Sequence, residues 1–171
     1  ELTKKGHKGR IFDQVDSRRI NDAQEMFIGD YLDTKKLNEA MNGVDVVYNF
    51  AAIADIGEAA DLRKKTIETN IIGVTNTLEA MIKNNINRLI YSSSMYVYSD
   101  KGSFYRATKQ AAELLIETYG SKFNIDYTIL RYGSLYGSRA QEWNGMRGFI
   151  KEILESGVVT YDGTGEETRD Y

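Results

Sequence analysis

Residues 88–94 read Arg-Leu-Ile-Tyr-Ser-Ser-Ser, an apolar run that ends in three serines. A run this continuously apolar is typical of a strand that is buried on both faces. Stretches with helical spacing lie on either side, at about 58–84 and about 104–121. A crossover between parallel strands needs about a dozen residues or more, which such helices supply. The region therefore predicts an α/β fold on a parallel sheet.

The same alternation continues along the chain. Short apolar runs at 10–13 and 26–30 each end at an aspartate, and runs at 44–52 and 125–131 predict two more strands buried on both faces. The helical stretches are recognised by apolar residues at a spacing of about 3.6: Ile67, Ile71, Val74 and Leu78 in the first, and Ala107, Ala111, Leu115 and Tyr119 in the second. Shorter helices are predicted near 34–42, after an N-cap at Asp33, and near 145–156.

Composition excludes several classes of protein. The chain has 22 Lys and Arg against 25 Asp and Glu, and this balance argues against a nucleic-acid binder. No window approaches the ~18 apolar residues of a membrane span. The polar start at residues 1–6 predicts no signal peptide, so we expect a cytoplasmic protein. With no cysteine and the single histidine His7, the chain cannot build a zinc site or a His-based triad, and we expect no metal.

In open α/β sheets, ligands bind beyond the carboxyl ends of the strands. Asp13 ends one predicted strand, where a carboxylate can accept both hydroxyls of a ribose, as NAD requires. The alternative is an aspartate that only begins a turn. Arg18 and Arg19 follow closely and could meet a 2′-phosphate, so NADP remains open.

Tyr105 and Lys109 are four residues apart, which places them on one face of a helix. An ammonium near a phenol stabilises the phenolate and lowers its pKa, so such a pair suits proton transfer to and from a hydroxyl. Tyr31 and Lys35 share the spacing. Only Tyr105, however, begins a helix that follows a strand ending in serines.

Three segments together resemble a known family: Leu-Ile-Tyr-Ser-Ser-Ser-Met-Tyr-Val-Tyr at 89–98, the Tyr105/Lys109 pair, and Leu-Arg-Tyr-Gly-Ser-Leu-Tyr-Gly-Ser-Arg at 130–139. They are similar to the extended short-chain dehydrogenase/reductases, specifically the NAD-dependent epimerase/dehydratase family that acts on nucleotide sugars. Residues 45–52, 70–75 and 163–171 add support. The resemblance implies a Rossmann-type parallel sheet with helices on both faces, an NAD-binding domain at 1–131 and the start of a substrate-binding region at 132–171.

The resemblance also implies roles for individual residues. Tyr105 would be the catalytic acid/base, Lys109 would hold the nicotinamide ribose and lower the tyrosine pKa, and Ser94 would bind the reacting sugar hydroxyl. Further cofactor contacts would come from Asp13, Asp30, Tyr31, Phe50, Ala51, Ala52, Asn70, Ser92 and Tyr132, and substrate contacts from Ser134, Arg139 and Arg169. Alternatively, Asn70 is a polar residue inside a helix, Ser92 fills a strand end and Arg169 is a solvated charge.

Two departures from the family pattern affect what we expect for NAD affinity and for the reaction. The family opens with a strand and a glycine-rich turn that cradles the pyrophosphate, and this sequence has neither. We therefore expect a fragment with a sheet split at the missing central strand, and poor NAD affinity. Met95 and Tyr96 stand where the family's dehydratases carry an Asp-Glu pair, which favours an epimerase.

The resemblance leaves other possibilities open. A reductase that consumes NAD(P)H is one, and a catalytically silent fragment or dinucleotide-binding module is another. Ser134 stands where many epimerases have an asparagine, so the sugar is not specified. The two long helices, near 58–84 and 104–121, imply a homodimer with four helices at its interface, unless their apolar stripes face only their own sheet.

Overall fold

The computed structural model describes residues 2–17, 20–142, 144–166 and 168. Five strands occur in these residues: β1 (Gly9–Asp13), β2 (Gln24–Ile28), β3 (Val47–Asn49), β4 (Arg88–Ser94) and β5 (Asp126–Tyr132). The α-helices of the same residues are α1 (Thr34–Met41), α2 (Ile56–Asp61), α3 (Arg63–Ile67), α4 (Gly73–Lys83), α5 (Ser103–Phe123) and α6 (Gly145–Ser156). Asp33 caps α1 as predicted, since its side chain accepts hydrogen bonds from the backbone N–H groups of Lys35 and Lys36.

The strands form two separate sheets. β1 pairs with β2 in parallel, and β3, β4 and β5 form a second sheet in that order, with β3 parallel to β4. The expected split of the sheet is therefore observed. Phe12 of β1 and Val47 of β3 nevertheless pack against the same hydrophobic core, which includes Leu78 and Leu89.

The prediction that the runs at 44–52 and 125–131 are buried on both faces is wrong. β3 covers only Val47–Asn49 and is an outer strand of its sheet, so Tyr48 stays 43% exposed. β5 is the other outer strand, and Tyr127 is likewise exposed. Of the strands in the described residues, only β4 has a partner on both sides, and its residues Leu89, Tyr91 and Ser93 are fully buried.

The predicted helix at 58–84 is divided into several segments. α2 and α3 are short, and a π-helical turn at Glu68–Ile72 joins α3 to α4. Wide turns of this kind are rare and often accompany functional sites. Here the turn carries the buried Asn70.

Helix α5 matches its prediction in length but not in orientation. Its buried residues are Thr108, Lys109, Ala112, Glu113 and Ile116. In the stripe predicted from apolar residues, Ala107 is exposed and Ala111, Leu115 and Tyr119 are half-buried. The helix is turned so that two charged side chains face the core, which a search for apolar spacing does not detect.

The chain forms two compact units, Glu1–Leu130 and Arg131–Tyr171. The first contains β1 to β4 and α1 to α5. The second contains α6, which begins after Asn144, whose side chain accepts a hydrogen bond from the backbone N–H of Arg147 at 3.1 Å.

Gly73→Ala is expected to destabilise the first unit. A Cβ at Gly73 would lie 2.1 Å from Cζ of Tyr31, and Tyr31 cannot move aside because its hydroxyl is bonded to the carbonyl of Thr69. Overpacking of this kind costs about 1–3 kcal/mol, which urea denaturation followed by circular dichroism will measure. Gly148→Ala is the control, since nothing lies within 4 Å of its added Cβ; equal loss in both variants would contradict the contact.

Candidate active site

The site begins where β4 ends. Ser94 is 7% exposed and caps a 3-10 turn at Met95–Tyr98 by accepting a hydrogen bond from the backbone N–H of Tyr96 at 3.3 Å. The chain then turns into α5 through Gly102, whose φ of +99° favours glycine. This short connection places the first turn of α5 close to the last residues of β4.

Tyr105 lies in that first turn and is half-buried. The Ser94 hydroxyl is near enough to the phenol to lower its pKa, and the Tyr105 ring meets the Tyr96 ring edge-on at 6.4 Å between centroids. Gln110 donates a hydrogen bond to the carbonyl of Val97 at 2.8 Å, which fixes the connecting loop on α5. The sequence-predicted pair Ser94 and Tyr105 is thus brought together.

Lys109 lies one turn further along α5 and is 2% exposed. Its ammonium donates a hydrogen bond to the carbonyl of Ser92 at 2.6 Å. The nitrogen is 4.8 Å from the ring centroid of Tyr91 and 5.8 Å from that of Tyr105. The Lys109 ammonium is therefore hydrogen-bonded to β4 and lies close to the Tyr105 ring.

The expected lowering of the Tyr105 pKa by Lys109 is wrong for this structure. The pKa of Tyr105 is raised, first because burial disfavours the phenolate, and also because Tyr96 is near. The hydrogen bond from Ser94 acts in the opposite direction. Burial also lowers the pKa of Lys109, from 10.5 to about 8, because it destabilises the charged ammonium form.

A residue that the sequence analysis missed completes this cluster. Glu113 is buried, and its carboxylate accepts a hydrogen bond from Ser93 Oγ at 2.5 Å. Its charge raises the pKa of Lys109 against the effect of burial. A signal was available, because an acid four residues after a candidate lysine lies on the same helical face.

The predicted adenosine and phosphate contacts lie at the carboxyl ends of the strands. Asp13 ends β1 and Asp30 follows β2 by two residues; both are exposed, and each accepts a backbone hydrogen bond two residues on. Phe50 and Ala51 follow β3 and are exposed, and Ala52 is half-buried. These residues remain accessible to a ligand.

Two predicted cofactor residues are engaged in the protein instead. Asn70 is 1% exposed; its amide oxygen accepts from the N–H of Ile53 at 2.8 Å, and its amide nitrogen donates to the Ile53 carbonyl and to Thr108 Oγ1. The Tyr31 ring belongs to the hydrophobic core. For either side chain to contact a cofactor as predicted, these interactions would have to break.

Five predicted site residues remain: Ser92, Tyr132, Ser134, Arg139 and Arg169. Ser92 contributes its carbonyl to Lys109. Tyr132, Ser134 and Arg139 belong to the second unit, where Tyr132 ends β5 and Arg139 is exposed. Arg169, Arg18 and Arg19 lie outside the described residues.

No group of three or more His, Cys, Asp or Glu side chains in the described residues is arranged to hold a metal ion. None of the helices in that part of the chain has the length and apolar character needed to cross a bilayer.

Comparison with known proteins identifies the family. The model of the NAD dependent epimerase/dehydratase family matches residues 1–171. The chain belongs to this family. It is 30% identical to the putative UDP-glucose 4-epimerase of Methanocaldococcus jannaschii over 89% of this chain and 56% of that protein, and 27% identical to protein CapI of Staphylococcus aureus over 97% and 50%.

A solved structure supports the fold. The UDP-glucose 4-epimerase of Thermotoga maritima with UDP-glucose superimposes with a TM-score of 0.88 at 23% identity, covering 99% of this chain and 62% of that one. The fold is therefore Rossmann-like α/β. The chain spans about half the length of the curated relatives it matches.

NAD is the cofactor of the family. Among the described residues, exposed Asp13 at the tip of β1 suits a ribose diol. Lys109 is buried on α5, and its ammonium is bonded to the Ser92 carbonyl near the end of β4. Within the described residues, none of the strands leads into a glycine-rich turn that would cradle the pyrophosphate.

Lys109→Met is expected to alter the pH dependence of stability. Since the pKa of Lys109 is about 8 in the folded chain and 10.5 unfolded, the unfolded chain binds more protons between these values, and the free energy of unfolding rises with pH. Between pH 8 and about 9, where tyrosines of the unfolded chain are still mostly protonated, urea denaturation should show this rise in the unaltered chain and a flatter line in Lys109→Met.

Lys122→Met, at the exposed end of α5, is the control and should keep the slope of the unaltered chain. A slope that is identical in Lys109→Met and the unaltered chain would show that the Lys109 ammonium is not destabilised by burial.

Proposed function

We propose that this chain carries the proton-transfer centre of an epimerase-type oxidoreductase that acts on a nucleotide sugar through transient hydride transfer. The observation that supports this most is the grouping of Ser94, Tyr105 and Lys109 at the carboxyl end of β4, where Ser94 acts on the pKa of the phenol and the Lys109 ammonium is 5.8 Å from the centroid of its ring. A hydroxyl and a phenol this close together can both approach one sugar hydroxyl.

Each residue has a defined task in this proposal. Ser94 binds the reacting sugar hydroxyl and stabilises the phenolate of Tyr105. In its phenolate form, which Ser94 favours and burial opposes, Tyr105 takes the hydroxyl proton as the carbon is oxidised to a ketone, and returns it when the carbon is reduced on its other face. When bound, NAD takes up and returns the hydride. Lys109, fixed on the Ser92 carbonyl, holds the ribose beside the phenol.

An epimerase is favoured over a dehydratase by the residues after Ser94. Elimination of water needs an acid and a base beside the sugar, and this position carries Met95 and Tyr96. Met95 is exposed, and the Tyr96 ring packs on Tyr105. The first carboxylate after Ser94 is Asp100, which is exposed.

A catalytically silent dinucleotide-binding module is the second candidate, supported by the division of the strands into two sheets. In that case the chain keeps the scaffold without turnover. Calorimetric titration with NAD, followed by an assay with UDP-glucose as the probe substrate, separates the two: conversion to the epimer favours the enzyme, and binding without conversion favours the module.

Tyr105→Phe is expected to reduce sugar conversion by about 10²-fold or more, because the acid/base group is removed, while NAD binding changes little. Conversion is followed by NMR of the sugar, and reduced-nicotinamide absorbance should return to its starting value rather than rise steadily, as it would if the ketone were released. The control is Tyr98→Phe, a tyrosine that is 67% exposed. Unchanged conversion by Tyr105→Phe would refute the assignment.

We also propose that the chain forms a homodimer through the helices that pack around α5. Ile67, Ile72 and Leu114 are large apolar side chains that remain exposed on α3, on the π-helical turn and on α5. A second copy that presents the same surface would cover them.

Leu114→Glu is expected to convert the dimer to a monomer, because a charge would be buried at the interface. Light scattering of the unaltered chain and of the variant gives both masses. Leu154→Glu, on the exposed face of α6, is the control and should leave the mass unchanged. A monomer at high concentration for the unaltered chain would remove the dimer proposal.

A further inference from the structure

The buried face of α5 contains two charged side chains, Lys109 and Glu113. Both are under 10% exposed, and they are the charged members of the buried set in the part of the chain that is described. They are four residues apart and therefore lie one above the other on the helix. Charged groups are rarely buried to this extent unless they are paired.

Each of these side chains is anchored to a different residue of the same strand. The Lys109 ammonium donates to the carbonyl of Ser92 at 2.6 Å, and the Glu113 carboxylate accepts from Ser93 Oγ at 2.5 Å. Two neighbouring residues of β4, Ser92 and Ser93, are thus hydrogen-bonded to side chains one turn apart on α5. The distance between the two charges is fixed by the strand as well as by the helix.

We propose that Glu113 is a positioning residue that keeps the Lys109 ammonium charged and seated at the carboxyl end of β4. The proposal rests on the proposed function, in which Lys109 holds a ribose beside Tyr105. Glu113 would not touch cofactor or substrate, and it acts through the charge of Lys109.

The surroundings of Lys109 explain why such a residue is needed. The titratable groups that face its ammonium are Tyr91 on β4 and Tyr105 and Glu113 on α5. The pKa values of both tyrosines are raised by burial, so both phenols remain neutral and supply no negative charge. Burial lowers the pKa of Lys109 to about 8, and Glu113 is the group that opposes this.

The test measures the pKa of Lys109 directly, by NMR titration of the full chain with isotopically labelled lysine. Glu113→Gln keeps the shape of the side chain and removes its charge, and is expected to lower the Lys109 pKa by about one unit or more. Glu117→Gln, one turn further and exposed, should leave it unchanged. An unchanged Lys109 pKa in folded Glu113→Gln would overturn the proposal.

A second comparison separates charge from packing. Ser93→Ala removes the anchor of Glu113 but keeps its charge, so it should lower the Lys109 pKa less than Glu113→Gln does. An equal or larger effect of Ser93→Ala would show that the anchor matters more than the charge, against the proposal.

Loss of folding in Glu113→Gln is also informative. If an uncompensated ammonium is the cause, the double variant Lys109→Met/Glu113→Gln should fold again. Failure of the double variant would assign Glu113 a packing role and overturn the proposal. Because the titration needs neither cofactor nor substrate, it can succeed for a chain that converts no sugar, and its failure leaves the test with Tyr105→Phe unaffected.

Discussion

The contact between β4 and α5 determines the geometry of the candidate site. β4 is the central strand of its sheet, and its terminal serines supply three different groups: the Ser92 carbonyl, the Ser93 hydroxyl and the Ser94 hydroxyl. Lys109 of α5 donates to the Ser92 carbonyl and Glu113 of α5 accepts from the Ser93 hydroxyl, while the Ser94 hydroxyl accepts from the backbone N–H of Tyr96. Hydrogen bonds to charged groups are stronger and more directional than neutral ones. The contact between β4 and α5 therefore fixes the position of the helix more specifically than apolar packing alone would.

Further buried polar residues connect α5 with other segments of the first unit. Asn70, on the π-helical turn, connects the backbone at Ile53 with Thr108 on α5. The segment after β3 is therefore tied to the helix that carries Tyr105 and Lys109. Buried networks of this kind are costly when they are incomplete, which restricts the arrangements that the chain can adopt.

The sequence predicted the order of strands and helices, and the pairing of Ser94 with Tyr105, because strand-ending serines and a tyrosine–lysine spacing are local patterns. It did not predict which strands are outer strands, since Tyr48 and Tyr127 occur in runs as apolar as a central strand. It also misplaced the buried face of α5, because apolar spacing gives no weight to a buried Lys109 or Glu113. Tertiary pairing of polar groups decided the orientation of α5.

The site residues were predicted with similar limits. Asp13 and Asp30 are at strand ends and exposed, as local sequence indicated. Tyr31 and Asn70 are engaged in the core, because residues 17 to 38 positions away are hydrogen-bonded to their polar atoms. No local pattern contains that information.

The division of the strands has a consequence for how this chain behaves with copies of itself. In a parallel ladder alternate peptide groups point to opposite sides, so the peptide groups of Arg10 and Phe12 face away from β2. β3 likewise has β4 on one side only. Edge strands with unpaired N–H and C=O groups can pair with a strand of another chain. Beyond the proposed helix-mediated dimer, further association in concentrated solutions should therefore run through main-chain pairing, which depends weakly on salt, rather than through attraction between surface charges.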